Sequence, residues 1–252
     1  MENKEPVQAA EAEKQPEQKT DVKSLPLEQR LYVDSVWVLS VLFLVVCLWI
    51  IFIVIWGSTV ISDTLTPDQL TTVMEVVAVI ALLHLLKKTS IRFKDMGLSM
   101  QRFKQSMKRN LYRIPIQLAV FMLAKWIILK IRPDIVLGGK NWSEVPFWDW
   151  GQADMRLVTY LFTSFLQELL ARGGVQEALT RVLPGKHADI AAIFMTSVFF
   201  MALHVQKGMF FMIGAGVLSF VLGLVYRKDR SIGGVWLIHY FFGKFADFLE
   251  FI

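Results

Sequence analysis

Apolar positions in this chain gather into long blocks, with no strand-like alternation and no internal repeat. Blocks of about 17–25 residues match the length of helix that crosses about 30 Å of hydrocarbon. The pattern predicts seven such spans. The first runs from about Val33 to Trp56 and carries only Asp34 at its edge; the second runs from about Gln69 to Leu86, after a turn closed by Pro67. The third covers about Tyr112–Ile131, and the fourth starts near Arg156 and continues past Arg172. The last three are about Ala188–His204, Met209–Tyr226 and Ile232–Phe251. The expected fold is therefore all-α, a polytopic transmembrane helical bundle of about seven spans.

Composition agrees with this pattern. The 252 residues are 54% hydrophobic and 19% charged, whereas a soluble globular chain has about 45–50% apolar and about 25% charged residues. An ordinary soluble enzyme, a secreted disulfide scaffold and a nucleic-acid-binding module are excluded. Cys47 is the single cysteine, which leaves no intrachain disulfide and no thiolate metal cluster. Residues 1–31 carry five basic and seven acidic side chains with little apolar content, and are expected to be a disordered cytoplasmic tail.

The net charge of +5 is better read as topology than as a nucleic-acid footprint. Residues 87–113 hold nine Lys or Arg against Asp95 alone, and the turns at 179–187 and 227–230 are also basic. Placing these on the cytoplasmic side puts the N-terminus in and the C-terminus out. Trp142, Trp148 and Trp150, in the 132–155 loop, are then expected at a membrane–water boundary.

Ionisable residues inside spans are costly and mark candidate sites. Glu168 and Arg172 lie four apart on the fourth span, so they share a face and can pair. His204 ends the fifth span and His239 lies within the seventh. One glutamate and two histidines on neighbouring helices could activate water, stabilise an oxyanion or hold a metal. From the cytoplasmic end His204 lies about 24 Å deep and His239 about 11 Å, at 1.5 Å per residue. The two meet only if helices tilt or the 205–208 turn dips into the bundle. Elsewhere, Glu75 is read as reaching the headgroups, His84 as an interfacial anchor and His187 as solvated. Lys125 is read as snorkelling or pairing with Glu75 or Asp247. Lys244 and Asp247 are expected to pair with each other, and Gly214, Gly216 and Gly223 to let helices pack closely.

The order Gln167-Glu168-Leu-Leu-Ala-Arg172-Gly173, then Phe200 with His204, then His239 with Gly243, resembles the CPBP family of intramembrane proteases. That family includes type II CAAX prenyl endopeptidases and bacteriocin-immunity proteins. The stretch from Phe93 to Leu98 is similar to a short upstream segment of such proteins. The resemblance implies a CPBP-like domain over residues 112–252, preceded at 32–111 by two spans and the basic loop. It also implies a peptide or membrane-protein substrate, prenylated or secreted. The family's first motif begins with a water-activating glutamate where this chain has Gln167, and its third ends with an oxyanion-binding Asn where this chain has Gly243. Glu168 with His204 is therefore expected to activate water and His239 to assist at the oxyanion, Gln167 and Arg172 completing the site. No cofactor is required; Glu168, His204 and His239 are the candidate ligands if zinc is used. The alternative is an inactive scaffold or immunity protein that binds a partner in the same cavity. The lipid bilayer of a bacterial plasma membrane is the expected setting.

Overall fold

The structure is a computed structural model that describes residues 22–58, 66–137 and 140–251. The expected tail lies outside these residues up to position 21; beyond it, a 3-10 turn (Val22–Ser24) leads directly into the first helix. The helices are α1 (Leu27–Ser58), α2 (Pro67–Lys88), α3 (Met100–Asn110), α4 (Arg113–Ile131) and α5 (Arg156–Glu168). There follow α6 (Glu177–Val182), α7 (Ala188–Ala202), α8 (Met209–Asp229) and α9 (Ile232–Phe248). The single sheet among the described residues is a hairpin that pairs β1 (Val136–Leu137) with β2 (Lys140–Asn141).

Four of the expected seven spans are helices long and apolar enough to cross a membrane: Leu27–Ile53, Gln69–Lys88, Arg113–Ile131 and Met209–Asp229. The expected count is not matched by the remaining three. Helix α7 has 15 residues and α9 has 17, so at 1.5 Å per residue they reach only about 23 and 26 Å. The column 156–182 is long, but charged and amide side chains interrupt its apolar run. Large apolar side chains stand exposed on the four spans, Ile80, Val120 and Val217 among them, which suits a surface that faces lipid.

Local sequence explains the helix ends. Thr66 caps α2 by accepting from the Gln69 N–H, while the Gln69 side chain accepts from the Thr66 N–H. This reciprocal pair satisfies two otherwise orphaned donors. Asp154 accepts from the Arg156 N–H at the start of α5. That N–H, joined by the Arg156 side chain, holds the Asp154 carboxyl below the usual carboxylate range.

Helix α9 lies at the centre, against α3, α4, α5 and α8. Ile232 and Val235 are fully buried in one core with Leu222 of α8, Leu82 of α2 and Val38 of α1. The basic 87–113 segment is not a plain loop: it carries a 3-10 turn (Phe93–Met96) and α3. The turn packs under Gly173, where a Cβ would come within 2.9 Å of the Met96 carbonyl. Helix α3 binds the start of α9, where Ser106 Oγ accepts from the Gly234 N–H and donates to Asp229. Arg109 and Asn110 complete the shell around the Asp229 carboxylate.

Gly234 allows this approach, since a Cβ there would overlap Ser106 Oγ and Asn110 Nδ2. Gly234→Ala is expected to destabilise by about 1–3 kcal/mol, the usual cost of overpacking. Gly214→Ala, with nothing within 4 Å of the added carbon, should be neutral. Thermal unfolding of the two variants in detergent tests the contrast. Gly216 and Gly223 do pack closely, against Met201 and Ile193, whereas Gly214 does not.

The tryptophans of the 132–155 loop pack in different ways. Trp142 is buried against Phe251, and Trp148 stacks on Phe248; Trp150 remains exposed. Lys125 is fully buried and does not snorkel. Its Nζ donates to the Pro146 and Leu249 carbonyls and lies over the Trp142 ring. Carbonyl acceptors and ring faces both suit a buried ammonium.

Candidate active site

The column 156–182 is not a regular helix. Between α5 and α6 the segment Leu169–Gln176 is π-helical. Such widened turns are uncommon and frequent at functional sites. The segment starts immediately after Glu168. Its Gly173 and Gly174 bring the column against the 93–96 turn and against Leu42 of α1.

Gln167 and Glu168 point into different surroundings, as a step of about 100° along a helix requires. Glu168 is fully buried and both oxygens are engaged: Arg172 Nε donates to Oε2 at 2.9 Å, and His239 Nδ1 lies 2.8 Å from Oε1. Arg172 is equally buried. It donates further to Gln176 Oε1 at 3.2 Å and to Ser219 Oγ at 2.9 Å, and Gln176 donates in turn to the Gly223 carbonyl. This charged core ties the π segment to α8 and α9. A carboxylate only accepts, so His239 Nδ1 carries the proton in this contact.

A cavity of about 1670 Å³ opens between α1, α2, α5, α7, α8 and α9. Most of its wall is apolar, but Glu75, Tyr160, Gln167, His204, His239 and Lys244 also line it. Glu168 and Arg172 stand behind the wall. The two histidines line the same cavity, bridged by one aromatic ring. Phe200 touches both rings, with centroids 4.6 Å from His204 and 5.7 Å from His239. Helix α7 ends at Ala202, and a 3-10 turn (Val205–Lys207) follows His204, so the chain turns at the depth where the sites converge. His204 Nδ1 lies 2.7 Å from the Phe200 carbonyl. A carbonyl only accepts, which places the proton on Nδ1 and leaves Nε2 of the neutral ring as the lone-pair nitrogen.

Among the described residues, no three His, Cys, Asp or Glu side chains come together in a way that could hold a metal ion. The zinc set Glu168, His204 and His239 is not assembled, because Arg172 and His239 Nδ1 already occupy the Glu168 oxygens. The site does not fit a zinc centre of that composition.

Two side chains were not legible as site residues. Glu75 does not extend to the headgroups: Gln167 Nε2 donates to its Oε1 at 2.6 Å on the cavity wall. The signal available was an acid inside an apolar run, which is costly unless it faces a partner or water. Tyr160 gave no signal. Its ring packs edge-on against His239 at 6.0 Å, and its hydroxyl fills the space that a Cβ on Gly243 would need. Lys244 and Asp247 pair as expected, with Lys244 Nζ over the Tyr160 ring.

Residues 149–243 match the family model of type II CAAX prenyl endopeptidase Rce1-like proteins. Over these residues, fewer than half of the chain, the protein is similar to that family. No curated protein and no solved structure matches the chain. The matched stretch takes in α5, the π segment, α6, α7, α8 and α9 as far as Gly243. All three motif histidine and glutamate positions fall inside it; Glu75, on α2, falls outside it.

Proposed function

We propose that this protein is an intramembrane endopeptidase that hydrolyses peptide bonds of a membrane-associated substrate, prenylated or secreted. The observation that carries this reading is the pair His204 and His239 on the wall of one large apolar cavity, with His239 held from behind by Glu168 and Arg172. Such a cavity suits a lipidated or apolar peptide, and the few polar groups in it suit chemistry at a single bond.

In this reading His204 Nε2 accepts a hydrogen bond from the attacking water. His239 assists where charge develops on the scissile carbonyl oxygen. Glu168 acts through His239, fixing its ring as the carboxylate of a serine-protease triad fixes its histidine. Arg172 keeps Glu168 ionised and in place. The basic 87–113 segment supports a cytoplasmic N-terminus, and a bacterial plasma membrane is the proposed setting.

Gln167 and Gly243, which lack the acid and amide of the family motifs, favour a second reading. In it the protein is an inactive scaffold or immunity protein that binds a partner in the cavity. Comparing peptide termini in membranes that express the natural chain or His204→Ala at matched levels separates the two. Termini present only with the natural chain support the protease and identify its substrate. Identical termini support the scaffold.

A further inference from the structure

Gln167 and Gly243 leave the site short of two groups: a carboxylate on the cavity wall and a donor for the oxyanion. Glu168 cannot serve as the carboxylate, since it stands behind the wall with both oxygens engaged. His239 also falls short as the sole donor, since only Nε2 of the protonated ring is left to reach the oxyanion. The neutral ring has one N–H, and that N–H is committed to Glu168. We propose that Glu75 and Tyr160 supply these two groups from outside the motif positions; this rests on the endopeptidase reading.

Glu75 lies on α2, outside the matched stretch, yet its carboxylate is 2.6 Å from the Gln167 amide. Both side chains line the cavity that His204 and His239 line. An acid well within an apolar span is retained where it faces a water-filled space or a partner, and here it faces Gln167 as its partner on the cavity wall. The pair is complementary. Were residue 167 a glutamate as in the family motif, two carboxylates would share a site at this distance and could not both ionise. Gln167 therefore goes with Glu75 as a hydrogen-bonded set, the amide orienting the carboxylate.

Tyr160 meets the other need. Its hydroxyl occupies the position from which a residue-243 side chain would start. Gly243 is thus not a simple loss: its bare backbone makes room for a phenol. That phenol packs against His239, and Glu75 and Asp247 lie near enough to act on it electrostatically. Tyrosine hydroxyls are suitable oxyanion donors.

The step balances. Water bonded to His204 Nε2 gives one proton to the Glu75 carboxylate as its oxygen attacks the scissile carbonyl carbon. The carbonyl π electrons move to oxygen, and the Tyr160 O–H donates to the resulting oxyanion. As the carbonyl re-forms, the C–N bond breaks and Glu75 returns its proton to the leaving nitrogen. One water is consumed, and an acid and an amine are released.

The test uses the full-length chain in membranes, then in detergent with the substrate identified from the termini. The variants are Glu75→Gln, Gln167→Glu, the exchange Glu75→Gln/Gln167→Glu, and Tyr160→Phe, each checked for the natural unfolding temperature. Glu75→Gln is expected to lower kcat by about 10²–10⁴-fold, as for loss of a general base. Gln167→Glu alone should also lower it, because the two acids then compete for one charge. The exchange keeps one acid and one amide in contact and should restore most of the rate, which a merely structural role for Glu75 would not produce. Tyr160→Phe keeps the ring packing and should lower kcat by about 10²–10³-fold with KM unchanged, as for loss of one oxyanion donor.

Glu75→Gln cleaving at the natural rate, or an exchange no better than Glu75→Gln, overturns the Glu75 assignment. Tyr160→Phe at the natural rate overturns that of Tyr160. In either case cleavage that still depends on His204 leaves the endopeptidase reading standing. A natural chain that generates no termini of its own overturns that reading and this proposal together.

Discussion

Glu168→Ala is expected to be among the most damaging single substitutions in the chain. Glu168 and Arg172 are both fully buried, and their ion pair at 2.9 Å is the centre of a network that reaches Gln176, Ser219 and His239. Removing one partner of a buried pair leaves an uncompensated charge, which costs about 3–5 kcal/mol. Arg172 would be left with neutral acceptors only. Replacing both charges by apolar residues of similar volume removes the desolvation problem with the pair, and such replacements are often neutral. Glu168→Leu/Arg172→Met should therefore unfold at a higher temperature than Glu168→Ala, yet remain inactive, because His239 loses the group that fixes its ring. Thermal unfolding in detergent and cleavage of the identified substrate read the two effects separately. A Glu168→Ala chain as stable as the natural one would show that the network does not hold the π segment to α8.

The second large effect concerns the histidines. His204→Ala and His239→Ala are each expected to lower kcat by about 10²–10⁴-fold, the range for positioned proton-handling groups. The informative quantity is the double variant. Groups that act as one unit are grossly non-additive. Both rings line one cavity and share contact with Phe200, so His204→Ala/His239→Ala should be little worse than the poorer single variant. Initial rates for the four chains form a complete cycle. A double variant whose loss equals the product of the two single losses would mean the histidines act independently, and the shared-site mechanism would fall. The His204 ring, unlike that of His239, bonds to the Phe200 carbonyl and not to Glu168, so His204→Ala should keep the natural unfolding temperature.

The helices that carry the chemistry were visible in the sequence because burial in lipid leaves an unmistakable record: long apolar runs in which any ionisable residue stands out. Glu168, Arg172, His204 and His239 were found that way, and their spacing also led to the family. The pairing of Glu168 with Arg172 was legible because residues four apart share a helix face. The span count was less legible, since hydropathy does not separate a short apolar helix such as α7 from one long enough to cross a bilayer. The basic 87–113 segment was read as a loop because its charge masks the amphipathic helix α3.

What the sequence could not provide was the direction in which neighbouring side chains point. Gln167 and Glu168 are adjacent in the chain, yet the first faces the cavity and the second the charged core. That division follows from the π turn after Glu168 and from its contact with α9. Glu75 meets Gln167 across 92 positions, and Tyr160 meets Gly243 across two helices. The chain alone determined a membrane-embedded helical protein with a glutamate, an arginine and two histidines as its candidate site, because local periodicity and the cost of burying charge act within single helices. Only tertiary packing decided which carboxylate and which hydroxyl reach the cavity, because those contacts depend on how separate helices are rotated against one another.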